Sequence, residues 1–516
     1  MLSLKRENGP LEEILGTRQI VPGQSLRAFP PNASPGNLNP PVKPGFQVKP
    51  SFQAGYQPPV ALAAALAAEE PIHAGSRLAL YCAMLMMFLR FSMLHEMLAY
   101  VTGVNTYLLY AVGPPALLFC FLSGGVKRMM QNRCAVYCLL FTLWLVISTP
   151  FSSWKGDSVA MVIVYLRTNI VILPALAGMA ANWLDVRRVL SMAALGGALS
   201  IVNGRLFMKE FGGRPGLAFG TVANPDDFAG HLILLLPFLV WIVLDSKRNF
   251  VFRIAALGFI GVGAYIILGT ASRGALVAMI VAGLFFLFKA TGRQRFGATA
   301  IMVAAGMIIL ATLPEATLHR MFTFSTTSKD RDMEASESQE MRQYLLGKSI
   351  EYSLKHPIFG VGPGQFSNFE GAESKSLGVL GAWHSTHNSY TQVSSECGLP
   401  AMLFYMAAIA YAFGMLSKLH KQSRQREENK DITILALCVM LSFVGYFTII
   451  LFLNFAYFFY MPALVGLACM ICYAGRRELA SRAAIAAEQP AQPAMPWMAP
   501  RRMPVPPLHA RPALQK

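Results

Sequence analysis

Residues 252–290 read FRIAALGFIGVGAYIILGTASRGALVAMIVAGLFFLFKA. Two apolar runs, near 252–270 and 274–290, are parted only by Ala271, Ser272 and Arg273. Each run approaches the ~20 residues that an α-helix needs to cross a bilayer. The stretch therefore reads as helix, tight turn, helix, with one cation at the turn.

The pattern recurs outward in both directions. Hydrophobic residues make up 54% of the 516 positions and charged residues 14%, with a mean hydropathy of +0.45. A soluble domain carries about 25% charged residues, and one large core cannot absorb such a deficit. About twelve apolar segments are legible, near 78–99, 104–122, 133–149, 158–180, 189–203, 228–244, 252–270, 274–290, 297–313, 398–416, 432–450 and 455–474. The expected fold is all-α, a polytopic transmembrane bundle of about twelve helices over 76–474. Residues 1–75 (Pro, Gly and Asn) and 475–516 (Ala and Pro) lack periodicity and are expected to be disordered cytoplasmic tails. Residues 1–60 hold no signal-peptide core, so insertion is expected to begin at the first apolar helix.

Basic loops set the orientation. Lys127, Arg128 and Arg133 follow the second segment, Arg187 and Arg188 the fourth, and Lys247, Arg248 and Arg253 the sixth. Lys289, Arg293 and Arg295 follow the eighth, Lys418, Lys421, Arg424, Arg426 and Lys430 the tenth, and Arg476 with Arg477 the last. Every even-numbered exit is basic, so the positive-inside rule puts both termini in the cytoplasm. The loop 204–227, the turn at Arg273 and the hydrophilic segment 314–397 are then expected outside, where there is no ATP. Bond-forming chemistry there needs an activated donor. The net charge of +17 is dispersed among these loops, with no aromatic-basic motif for nucleic acid.

The eight cysteines give no disulfide framework, and Cys469-x-x-Cys472 inside an apolar helix reads as packing thiols. In the long outer segment, Met341, Tyr344, Leu345, Ile350 and Leu354 recur at helical spacing, which predicts an amphipathic helix ended by His356-Pro357. The turn Gly360-Val-Gly362-Pro-Gly364 can aim N–H groups at a phosphate, or merely turn the chain. Arg273 either lifts its charge to the headgroups or grips an anion at the mouth between helices. Arg214, flanked by glycines, is either a solvated loop residue or a mobile clamp, and Asp226-Asp227 behind it read as a helix N-terminal cap. Arg90 and Arg167 lie inside apolar segments and should face the bundle interior, as lining of a path for a lipid-linked anion or as partners of Glu96 or Asp157. His384 and His387 have no third ligand nearby, which leaves a neutral imidazole suited to general-base work.

Four motifs occur in order: Arg273 in Ser-Arg-Gly, Arg342, His356-Pro-Ile-Phe-Gly-Val-Gly-Pro-Gly364, and His387-Asn388-Ser-Tyr-Thr-Gln-Val-Ser-Ser-Glu396-Cys-Gly398. Over roughly 80–475 the chain resembles the O-antigen ligase and O-antigen polymerase superfamily of bacterial membrane glycosyltransferases. That resemblance implies transfer of a glycan from undecaprenyl diphosphate to an acceptor hydroxyl at the periplasmic face of the inner membrane, inverting and without metal or cofactor. The acceptor would be lipid A core for a ligase, another lipid-linked repeat for a polymerase, or a protein hydroxyl. By position, His387, Arg273 and Arg214 look catalytic. Arg342, Asn388, Glu396, Gly362, Gly364, Arg90 and Arg167 are further candidates for substrate contact. The chain departs from its relatives in having Asp226 where they tend to have Asn, and Ala401 in place of Gly. A competing class, a transporter or flippase for lipid-linked sugars, would show repeated halves and ionisable residues at the bilayer midplane; no repeat is evident here.

Overall fold

The computed structural model describes residues 74–488, apart from 316, 319–331 and 379–380. Nearly all of the expected amino-terminal tail, and residues 489–516 of the other, lie outside the described residues. The observed architecture is an all-α polytopic bundle, with one two-stranded hairpin among the described residues. It begins with α1 (Ala74–Ser92), α2 (Leu94–Thr102), α3 (Leu108–Leu122), α4 (Gly125–Met130), α5 (Arg133–Ser148), α6 (Lys155–Val164), α7 (Ile172–Ala177) and α8 (Trp183–Leu206). The hairpin β1 (Met208–Phe211) and β2 (Arg214–Leu217) follows, then α9 (Pro225–Leu244), α10 (Phe250–Gly269), α11 (Arg273–Lys289) and α12 (Gly292–Thr312). The outer segment holds α13 (Asp332–Lys355) and α14 (Phe366–Ser376), before α15 (Ser389–Ser423), α16 (Lys430–Ile449) and α17 (Tyr460–Glu488).

By length and composition, seven of the described helices are long and apolar enough to cross a membrane, or eight if the bent pair α1–α2 is one span. This is fewer than the expected twelve, for local reasons. The segment 78–99 breaks at Met93, which is left-handed at φ 54°, so that its halves meet at 61°. The 15 residues of α3 contain Pro114 and Pro115, and at ~1.5 Å per residue they fall short of a ~30 Å core. The second tail also begins later than expected, because α17 continues to Glu488. Arg482 on that extension donates to both oxygens of Asp431, at 2.9 and 3.1 Å.

The core sits around α16, whose span is 83% buried, against 28% for the peripheral α10. Tyr405 and Tyr446 join hydroxyls at 2.6 Å there, and the Ser442 hydroxyl donates to the Leu234 carbonyl at 3.0 Å. Buried polar groups in an apolar bundle need such partners. All eight cysteines are free thiols. Helix α13 ends at Lys355 as the His-Pro pair requires. Its protein-facing side is Leu345, Ser349, Tyr352 and Ser353, whereas Met341, Ile350 and Leu354 are exposed. The buried side packs on α15, where Ser353 and Ser394 meet at 2.7 Å.

Candidate active site

The loop 204–227 is built more firmly than its glycines suggest. Gly212 and Gly213 both take positive φ, 55° and 70°, which is the backbone of a two-residue hairpin turn matched to strand twist. Residues 208–217 pair across that turn, with Phe211 opposite Arg214. Arg214 is therefore held on a strand and is not a mobile clamp. Its Nε donates to the carbonyl of Thr270 at 2.8 Å. That carbonyl lies at the C-terminus of α10, where a helix leaves acceptors without intrahelical donors.

The tight turn after α10 supplies the neighbouring groups. Ala271 is left-handed at φ 51°, and the Ser272 hydroxyl caps α11 by accepting from Ala275 N. Arg273 is the first residue of α11 and is half-buried. The turn that carries Arg273 therefore touches Arg214, through Thr270.

Asp226 corrects a sequence expectation. The cap of α9 is Asn224, whose side chain accepts from Asp226 N at 2.9 Å, with Pro225 at the first helical position. Freed from capping, the Asp226 carboxylate accepts both terminal nitrogens of Arg214, at 3.2 Å (Nη1 to Oδ2) and 2.6 Å (Nη2 to Oδ1). Arg342, reaching in from α13, donates to Oδ2 at 3.2 Å. Arginines that are distant in sequence thus converge on one carboxylate. Sequence reasoning passed over this hub, although its departure from the relatives' Asn was the available signal.

His387 stands beside this cluster. Burial, then the positive charge of Arg342, depresses its pKa to about 4, against the opposing pull of Asp226; exposed His384 depresses it further. The imidazole is neutral at physiological pH and able to accept a proton. Its backbone is left-handed at φ 50°, a strained state that persists only where the surroundings over-determine it. They do so on both sides. The Thr386 hydroxyl donates to Asn454 Oδ1 at 2.9 Å, and the Ser389 hydroxyl to the Leu453 carbonyl at 2.6 Å. Upstream, Glu370 accepts Ala382 N at 3.1 Å and Trp383 N at 2.9 Å. Burial pushes its pKa up, but those N–H donors and the hydroxyls of Ser374 and Tyr344 hold it below the ordinary glutamate value. Glu370 was not anticipated from sequence, since its partners lie a dozen residues away.

Other candidates have internal work. The N–H groups of Gly364 and Phe366 point at the two carboxylate oxygens of Glu396, at 2.9 and 3.3 Å, and Tyr457 adds a hydroxyl at 2.7 Å. The glycine turn thus holds a carboxyl group belonging to the protein, and Gly362, Gly364 and Glu396 lock the turn onto α15. A Cβ on Gly362 would fall 2.0 Å from Ser152 Oγ. Asn388 caps α15 by accepting from Tyr390 N and Thr391 N. Arg90 is buried, bound to the Thr168 carbonyl and to Asn169 Oδ1, and lies over the Phe459 ring. Arg167 is exposed, stacked on Tyr110 at 5.4 Å, and does not face the interior as expected. The five-residue turn that carries it, Tyr165–Asn169, is π-helical, which rotates it off the α-helical register. Among the described residues no three His, Cys, Asp or Glu side chains gather as a metal site would require.

Residues 258–406 match the family model described as O-antigen ligase. This supports the O-antigen ligase and polymerase superfamily for the chain. The matched span contains Arg273, Arg342 and His387, while Arg214 and Asp226 lie before it. No curated protein matches the chain. The long apolar helices of the bundle indicate a multi-pass membrane protein.

Proposed function

We propose that this protein transfers a glycan from undecaprenyl diphosphate to an acceptor hydroxyl, in the manner of an O-antigen ligase, at the periplasmic face of the bacterial inner membrane. The supporting observation is the convergence of Arg214 and Arg342 on Asp226, with His387 within reach of the charges of Arg342 and Asp226. The glycosyl–diphosphate bond of the donor carries the driving energy, so no nucleotide is needed. The acceptor oxygen attacks the anomeric carbon from the face opposite the diphosphate and inverts it. As the new C–O bond forms, the bond to the diphosphate oxygen breaks, and its electron pair leaves on undecaprenyl diphosphate. His387 takes the acceptor's proton. Arginines fixed before the reaction stabilise the charge growing on the leaving group, and loss of one such donor costs about 10²–10³ in rate.

Donor binding also tunes the base. Arg342 is one of the charges that depress the His387 pKa, and a diphosphate bound to that arginine offsets it. The imidazole then becomes more basic when there is a proton to take. Purified protein given a lipid-linked glycan, with lipid A core, a second lipid-linked repeat and a protein hydroxyl offered in turn, tests the reading. Transfer to lipid A core is expected. Product with only the second repeat would make it a polymerase, and no transfer to any acceptor would reject the reading.

A further inference from the structure

The Arg214–Asp226–Arg342 group has an arrangement that simple fold stabilisation does not require. Two guanidinium groups that cannot lose their charge are brought together from a strand and from an outer helix. Like charges at such range repel, and the carboxylate between them offsets that repulsion. The carboxylate accepts three hydrogen bonds from the arginines, two from Arg214 and one from Arg342. The paired nitrogens of Arg214 meet the paired oxygens of Asp226, and the same fork fits two oxygens of a phosphate. Arg214 Nε is bound separately to Thr270. Its terminal nitrogens can therefore exchange one anion for another while the guanidinium stays anchored. Two arginines against one carboxylate leave an excess of positive charge, which favours a dianion over the resident monoanion.

We propose that Asp226 is an internal stand-in for the donor's diphosphate, a positioning residue that holds Arg214 and Arg342 aligned until the diphosphate displaces it. The inference rests on the donor reading above and assigns Asp226 a role within it. A carboxylate that occupies the arginines most of the time lowers the apparent affinity for an incoming anion by the fraction of time they are free. Its removal should then tighten binding, whereas a purely structural bridge would weaken binding when lost.

The experiment uses the full-length protein in lipid nanodiscs, with inorganic pyrophosphate as the probe, titrated by calorimetry. Asp226→Asn is expected to bind pyrophosphate roughly threefold to tenfold more tightly than the unchanged protein, and Arg214→Ala to bind it more weakly. Equal or weaker binding by Asp226→Asn overturns the stand-in, and the donor reading survives if Arg214→Ala still loses both binding and transfer. The donor reading itself fails if Arg214→Ala alters neither. A structure of the unchanged protein with pyrophosphate gives an answer independent of any variant's folding. Pyrophosphate oxygens on Arg214 with the Asp226 pair opened support displacement, and an intact pair beside bound pyrophosphate refutes it.

Discussion

Replacing Arg214 by alanine removes three hydrogen bonds, one to Thr270 and two to Asp226, and two separable losses should follow. The first is in stability. Side chains on both sides of the pair are about 15% exposed, and stripping one partner from a buried ion pair costs about 3–5 kcal/mol. Asp226 keeps Arg342, so a cost at the lower end, about 3 kcal/mol, is expected here. The second is in rate, where loss of a leaving-group donor lowers transfer by about 10²–10³. Adding Asp226→Asn to Arg214→Ala removes the carboxylate that has lost two of its donors, at the cost of its ion pair with Arg342. Part of the stability should return, because the under-compensated buried carboxylate is gone. Activity should not return, since the diphosphate still lacks its arginine. Thermal unfolding in nanodiscs and initial rates with lipid-linked glycan measure the two quantities on the same preparations. If the double variant regains rate together with stability, Arg214 is a structural residue and the reasoning fails.

His387→Ala is expected to lower transfer by about 10²–10⁴ at an unchanged amount of membrane protein; near-normal transfer would remove the imidazole from the mechanism. With the pKa of His387 depressed to about 4 by burial and by Arg342, its base form persists as pH falls through the ordinary histidine range. The acid limb of kcat/KM should therefore lie near 4 and that of kcat higher, because donor binding offsets Arg342. Coincident limbs would contradict this. The same shift costs stability in acid: the unfolded chain gains a proton first, so stability falls as pH drops from about 6.5 towards the folded value, and His387→Ala should lessen that fall. Gly360 takes φ +69°, and a Cβ there would lie 2.2 Å from the Glu396 backbone carbon. Gly360→Ala should cost about 3 kcal/mol in thermal unfolding, whereas Gly347→Ala, in α13 with nothing within 4 Å, should be neutral or stabilising. Glu370→Ala releases Ala382 and Trp383 and should slow transfer on the order of tenfold or more, with faster proteolysis of the 377–388 segment as the structural readout.

The apolar runs were legible, and Arg273 and His387 stood out in the sequence because each is announced by local contrast: a cation between two apolar runs, an imidazole at the foot of a helix. Arg214 was legible as a residue but not as a strand-held one, since hairpin pairing depends on residues that face each other only after folding. The glycine turn misled for a related reason. Its N–H groups do bind acceptor oxygens, and only packing reveals that these belong to the Glu396 carboxyl. Asp226 was read as a cap because first-turn carboxylates commonly play that part. What redirected it was Arg342, 116 positions further on.

Apolar run length and the placing of lysine and arginine were enough, without coordinates, to give a helical membrane bundle, since a bilayer constrains every spanning segment in the same local way. Which arginines meet, which carboxylate lies between them and which histidine loses its charge beside them were decided by tertiary structure alone. Electrostatic partnership depends on distances of a few ångströms between groups that the chain order keeps far apart.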